Sequence, residues 1–515
     1  MDSISQIKPS RVLKIILISM TVLLVLALLF PKEGVKIFGK TYHFVHVEDI
    51  VEKGTSNFKA EDWVANSLDG LQNEFSRLAS LSNEAAAMKG LEMANTDSNR
   101  ILFSNEQRDD LDLFFESLYN IPTTGEQVRV IHYGDSQIEE DRITSYIRRE
   151  LQARFGGGGL GMVSALPIAG TVSSSHAYSN NWKRYTSFSL TGEPLSNNRY
   201  GTMGITCKYV GNANGGDFLK VPVDTINSGE NILEKEQEVF EVMDKNRGYL
   251  TIRPTDKSNP KLFEYNRIRV FLGNVTENIQ LNVTTNNGQF QENITAGLDY
   301  KDFTFSFANS PSNVSITFSG GASPEVYGVS LESSSGVVVD NIPMRGSAGS
   351  GIVKFQQSLA KSMFTDLNPR LIILQYGGNA LPGISGVNSA KSYGKQMTNT
   401  IKFIRRFCPN AAILFIGPAD MCKTVNGQLQ TYPMMETMID ELKLMAEENN
   451  VAYFDMYRSM GGKNSMIQWK KEGWASSDYI HFNRKGAEKM SEILFKNLMF
   501  EYELYLLRTN KKVSE

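Results

Sequence analysis

Five short apolar runs, alternating with amphipathic segments, constrain this chain more than any other feature. The first is Val128-Arg129-Val130-Ile131-His132-Tyr133, which runs into Gly134-Asp135-Ser136-Gln137; the others lie at 336–342, 371–376, 411–416 and 451–454. Helical spacing follows at 141–155, with Ile143, Ile147 and Leu151 on one face, and recurs near 352–364, 389–406, 430–449 and 484–504. Strands that are apolar at nearly every position need cover on both faces, and intervening helices supply it. The pattern therefore predicts an α/β protein with a five-stranded, mainly parallel sheet between two helical layers.

The alternation is broken once. Between the first strand–helix unit and the second strand lie about 165 residues, far more than a strand–helix connection needs. Short strand-like runs fill the gap at 200–210, 249–253, 266–272, 279–284, 303–307, 314–318 and 326–331, separated by Gly, Asn, Pro and Ser clusters. That spacing predicts an antiparallel β-sandwich over 170–335, inserted into an α/β unit made of 126–169 and 336–505. Residues 32–125 read as a polar, mostly helical segment, with helical spacing over 60–81 and 107–118, and form either a stalk or a helical cap. Residues 506–515 read as a tail.

The amino terminus has its own signature. Residues 15–30 are uninterrupted apolar and small side chains, and Val12-Leu13 extends the run to about 19 residues, close to the ~20 that span a bilayer core. Lys8, Arg11 and Lys14 precede it, which favours a cytoplasmic tail at 1–14. Leu28-Leu29-Phe30 offers no small-x-small cleavage site, so 15–31 reads as an uncleaved transmembrane anchor rather than a signal peptide. The remainder of the chain is then expected on the far side of the membrane.

Composition excludes several classes. Hydrophobic residues make up 41% and charged residues 21%, which is incompatible with a disordered or fibrous chain. With 53 Lys+Arg against 56 Asp+Glu the net charge is −3, and no basic block marks a nucleic-acid partner. The three cysteines, Cys207, Cys408 and Cys422, make no disulfide framework and no C-x-x-C zinc spacing. His43, His46 and His176 lack ligand-spaced partners, so no metal site is expected.

Four segments can converge on the carboxyl edge of the sheet, where α/β folds place their sites. Gly134-Asp135-Ser136 leaves the first strand, Asn341-Ile342-Pro343-Met344-Arg345-Gly346 the second, and Tyr376-Gly377-Gly378-Asn379 the third. Asp478-Tyr479-Ile480-His481 precedes the last helix. Structural readings compete at two of these positions. Ser136 also fits a helix N-cap with Glu139 completing a capping box, and Asp478 also fits an N-cap of the last helix. The glycines at 156–161 close a helix and read as a flexible connector beside the site rather than a phosphate loop, since no Lys-Ser/Thr follows.

In this order, the four blocks resemble the SGNH (GDSL-type) hydrolase family, whose members carry Ser, Gly, Asn and His in separated blocks. The resemblance covers about 128–165 and 336–500, and it matches Ser136, Gly346, Asn379 and His481, with Asp478 ahead of the histidine. Two blocks depart from the family: Gly-Asp-Ser-Gln stands for Gly-Asp-Ser-Leu, and Gly-Gly-Asn-Ala for Gly-x-Asn-Asp. Gly349 competes with Gly346, which is preferred because its distance from Asn341 matches the family's Asn-x-x-x-x-Gly.

The resemblance implies an SGNH-type (flavodoxin-like) three-layer α/β/α fold. It also implies an acyl-serine mechanism that uses no cofactor. Ser136 would be the nucleophile, His481 its base and Asp478 the group that orients the imidazole. The oxyanion would be held by the N–H groups of Ser136 and Gly346 and the Asn379 amide.

SGNH esterases and transferases acting on O-acetyl groups of bacterial cell-wall polysaccharide carry a similar β-domain, and an anchored extracytoplasmic SGNH domain resembles the partners of membrane-bound O-acyltransferases. The expectation is a periplasmic or extracytoplasmic serine esterase or acyltransferase. Its substrate would be O-acyl, chiefly O-acetyl, groups of a cell-envelope glycan. The alternatives are a lipid-directed acylhydrolase and a non-catalytic glycan-binding or assembly scaffold.

Overall fold

A computed structural model describes residues 59–79, 100–188, 194–210 and 246–511, with the backbone of short strands at Val35–Ile37, Lys40–Tyr42, Leu219–Lys220 and Phe240–Glu241. The central sheet is made of β1 (Gln127–Gly134), β2 (Gly336–Pro343), β3 (Pro369–Gln375), β4 (Ala412–Ile416) and β5 (Ala452–Phe454). All pair in parallel, in the order β2-β1-β3-β4-β5. Every residue of β1 from Val128 to Gly134 is buried, as are all of β4 and β5, so the apolar runs reflect a sheet covered on both faces.

The longer helices are α1 (Ala60–Ala79), α2 (Asp112–Thr124), α3 (Thr144–Phe155), α4 (Gln357–Leu367), α5 (Val387–Phe407), α6 (Met435–Glu448) and α7 (Arg484–Arg508). α3 packs on β2 and α7, α2 on β1 and β3, and α5 on α6. The first two helices form a cap on the body rather than a free stalk. Leu71 of α1 packs with Phe500 and Leu504 of α7, and Trp63 Nε1 donates to the Ser459 carbonyl at 2.9 Å. Phe115 of α2 meets Tyr502 edge-on at 5.8 Å.

Between α3 and β2 the chain builds two antiparallel sheets. One has the order Gly288–Ile294, Ile279–Thr285, Val314–Gly320, Arg247–Pro254, Ser174–Tyr178. The other runs Tyr300–Ser306, Arg267–Gly273, Glu325–Glu332, Ile205–Tyr209, Trp182–Thr186, with Gly161–Val163 added beside Glu325–Glu332. Alternation decides which side chains enter the core: Leu281, Val283, Ile316 and Phe318 are fully buried, while Asn282 and Thr317 between them are not. Trp182 and Tyr327 are core aromatics; Trp182 packs edge-on against Tyr209 and Phe318.

This region is locked to the body by a buried charge network. Arg129 of β1 donates to both oxygens of Asp340 on β2, at 2.7 and 2.9 Å, and pairs with Glu332 at the end of its strand. Burial raises the Glu332 carboxyl, but Arg129 and Arg269 outweigh it and hold the group at about 2.

Of the glycines at 156–161, Gly157, Gly158, Gly159 and Gly161 are close-packed, which corrects the reading of a flexible connector at the site. A Cβ on Gly157 would fall 2.3 Å from the Val337 backbone, and one on Gly159 would fall 2.2 Å from the Leu331 carbonyl. Val337 is the second residue of β2, so Gly157 sits at the sheet edge opposite Ser136, and the run lets main chains approach there. The candidate anchor at 15–31 lies outside the described residues. Among the described residues, no helix is long and apolar enough to cross a membrane.

Candidate active site

Strand register brings three of the four blocks together. Gly134 of β1 lies opposite Pro343 of β2 on one side and Gln375 of β3 on the other. Ser136, Gly346 and Asn379 therefore leave the sheet from one edge, within a few residues of a common row. The fourth block follows β5 and leads into α7 through Asn483, whose side chain accepts from the Gly486 N–H at 3.1 Å. Asn483, not Asp478, caps that helix.

Ser136 Oγ lies 2.8 Å from His481 Nε2, and His481 Nδ1 lies 2.7 Å from Asp478 Oδ2. The second Asp478 oxygen accepts the N–H groups of Ile480 at 2.9 Å and His481 at 3.1 Å, so one short loop fixes carboxylate and ring together. Partial burial raises the Asp478 carboxyl, yet the hydrogen bonds from the His481 ring and backbone outweigh it and hold the group below the usual range. The side chains of His481 and Asp478 are 29% and 44% exposed, which leaves the site open to a solution substrate.

The local cap belongs to a different residue from the one its sequence suggests. A short 3₁₀ helix starts at Ser136, and Asp135 caps it by accepting the Gln137 N–H at 2.9 Å. Glu139 pairs with Arg345 instead of closing a capping box. Ser136 Oγ is thereby left to His481. Burial pushes the Asp135 carboxyl up to about 6, a rise that its hydrogen bond from Gln137 and the nearby His481 only partly offset.

Gly346 is exposed, takes φ +75°, and a Cβ there would meet nothing within 4 Å. Gly349 is buried at φ +92°, and its N–H is already given to Ser347 Oγ at 3.0 Å. Asn379 is exposed and donates from Nδ2 to the Ser347 carbonyl at 3.2 Å. The structure thus joins Ser136, His481 and Asp478 directly and places Gly346 and Asn379 on the same edge. His132 is fully buried between Thr144, at 2.9 Å, and Gln375, at 3.1 Å; burial depresses it to about 3, so it stays neutral.

Three residues that sequence reasoning gave no role border the site. Gln137 reaches the His481 loop, Arg142 Nη1 donates to the Phe482 carbonyl at 3.1 Å, and Arg345 joins Glu139. The one available signal was the polar Gln137 where the resembled family has an apolar Leu.

The GDSL-like lipase/acylhydrolase family model matches residues 304–489. The match includes Asn379, Asp478 and His481, while Ser136 lies upstream of it. Among solved structures, a peptidoglycan O-acetylesterase is 20% identical with a TM-score of 0.57, over 79% of this chain and 99% of that one. A putative GDSL-like lipase from Parabacteroides merdae is 14% identical with a TM-score of 0.26, over 32% and 74% of the two chains. The protein YxiM of Bacillus subtilis is 12% identical with a TM-score of 0.27, over 67% and 98%. No curated protein sequence matches the chain. Residues 304–489 are thus similar to the GDSL-like lipase/acylhydrolase family, and the likeness to the peptidoglycan O-acetylesterase shows a shared fold.

Proposed function

We propose that this protein is a serine esterase or acyltransferase acting on O-acetyl groups of a cell-envelope glycan, outside the cytoplasm, behind a membrane anchor at 15–31. One observation carries the catalytic part: the unbroken chain of hydrogen bonds from Ser136 Oγ through His481 to Asp478. Ser136 attacks the ester carbonyl as its proton passes to His481 Nε2, and the ionised Asp478 stabilises the imidazolium. The N–H groups of Ser136 and Gly346 and the Asn379 amide are the candidate donors to the tetrahedral oxyanion. One such donor contributes about 2.7–4 kcal/mol of transition-state stabilisation. Collapse breaks the bond to the sugar oxygen, which takes the proton from His481. Water, or a second sugar hydroxyl, then attacks the acyl-serine by the same path in reverse. The open, half-exposed His481–Asp478 pair supports a bulky hydrophilic substrate.

The experiment uses a chromogenic acetyl ester with and without oligosaccharide acceptors, following acetate and acylated sugar by mass. Acetate regardless of acceptor makes the protein an esterase, and acylated sugar formed at the expense of acetate makes it a transferase. Neither product, together with a Ser136 that a fluorophosphonate does not label, would sink the catalytic reading.

A further inference from the structure

Gln137 follows Ser136 on the same turn and is 8% exposed. Its carboxamide crosses to the loop that carries His481. Nε2 donates to the Ile480 carbonyl at 2.6 Å, and Oε1 accepts the Phe482 N–H at 3.4 Å. These peptide groups lie on either side of His481, so one side chain grips the main chain around the histidine. Arg142 completes the hold, donating to the Phe482 carbonyl from one nitrogen and to the Glu139 carbonyl, on the Ser136 turn, from another.

We propose that Gln137 is a positioning residue that sets the height of His481 Nε2 against Ser136 Oγ. The inference rests on the Ser136–His481 reading above. Asp478 cannot do this work, because it belongs to the same loop as His481. It orients the ring within that loop, whereas Gln137 orients the loop against the serine. Since Ser136 and Gln137 are adjacent, any shift of the nucleophile carries the grip with it. Proton transfer is sensitive to this spacing: a misplacement of about 1 Å lowers a rate by roughly 10²-fold. An apolar side chain of similar length would fill the space but leave the Ile480 carbonyl and Phe482 N–H without these bonds.

The test uses the full chain and a small acetyl ester. Gln137→Leu removes both hydrogen bonds at nearly constant volume. It is expected to lower kcat about 10–100-fold with KM changed by less than about 3-fold, because geometry and not binding is altered. Gln137→Glu keeps the acceptor for Phe482 but, when ionised, faces the Ile480 carbonyl with a negative oxygen. At pH 8 it is expected to fall at least as far as Gln137→Leu, and to recover relative to it as the pH drops toward the range of a carboxyl group. A Gln137→Leu kcat within about 2-fold of wild type, in a protein whose Ser136 takes a fluorophosphonate label, overturns this inference alone. Should Gln137→Leu not fold, Gln137→Met replaces it; if neither folds, Gln137 is a folding residue and the inference is overturned. A wild-type Ser136 that takes no label overturns it together with the reading beneath it.

Discussion

Arg345 and Glu139 form a two-point ion pair, Nε to Oε1 at 2.5 Å and Nη2 to Oε2 at 2.7 Å, that ties the residue before Gly346 to the turn carrying Ser136. The carboxylate end is buried and the guanidinium end is 56% exposed, so the pair braces two loops without being part of the core. Arg345→Met should therefore lower kcat on a small acetyl ester several-fold through a looser Gly346 N–H. Its stability loss should be about 1–3 kcal/mol, because removing the exposed guanidinium leaves the buried Glu139 carboxylate without this partner. Parallel measurements of kcat and of the urea midpoint check both parts.

Ser136→Ala should remove about 10⁴-fold or more of kcat, and His481→Ala a similar amount. The double variant should be no worse than either single one, because the two act as a unit. Additive losses in that cycle would contradict a shared proton-transfer step. Asp478→Asn keeps the shape but allows the wrong imidazole tautomer, and should cost about 10²–10⁴-fold.

The two glycines of the second block should behave oppositely. Gly346→Ala has free space and only the left-handed backbone to accommodate, about 1 kcal/mol. Gly349→Ala has the same backbone problem and a Cβ 2.9 Å from Met397 and 3.0 Å from Tyr376, both buried. It should lose about 2–4 kcal/mol, from overpacking added to the strain. Thermal melts of the two variants separate an open glycine from a packed one.

Asp135 gives a pH-dependent prediction whose sign runs against the usual carboxylate. Burial raises its folded value to about 6, above the ordinary 3.8, so the native state holds a proton that the unfolded chain releases. Its contribution is fully present below pH 3.8 and is lost as pH rises through about 6. Asp135→Asn retains an oxygen for the Gln137 N–H and removes the buried charge. It should stabilise the protein by about 1–3 kcal/mol at pH 8, with the gain fading below pH 5. Urea unfolding at the two pH values reads this directly.

What the sequence makes legible follows from how each group is held. The body strands stand out because burial on both faces leaves Val128–Tyr133 and its counterparts almost wholly apolar. Ser136, Asp478 and His481 stand out only together, because the order of their blocks resembles the SGNH family and each lies at a strand end or in a pre-helical loop. Strand Gly288–Ile294 escapes notice because it is an edge strand with most of its side chains in solvent, so it shows no alternation. Gln137, Arg142 and Arg345 escape notice because their partners lie hundreds of residues away or on the main chain, which leaves no local pattern. The glycine run at 156–161 is misread because glycine serves flexibility and close approach alike; only the Val337 and Leu331 backbones tell them apart.

Ser136 and His481 are 345 residues apart in the chain, with both antiparallel sheets between them. The hydroxyl and the imidazole therefore meet only once nearly the whole described body has been synthesised. A nascent or clipped chain ending anywhere before His481 carries a serine with no acceptor for its proton. On the proposed function, the order of the blocks builds in a delay: the growing chain has no assembled Ser136–His481 pair to restrain while it is still being made.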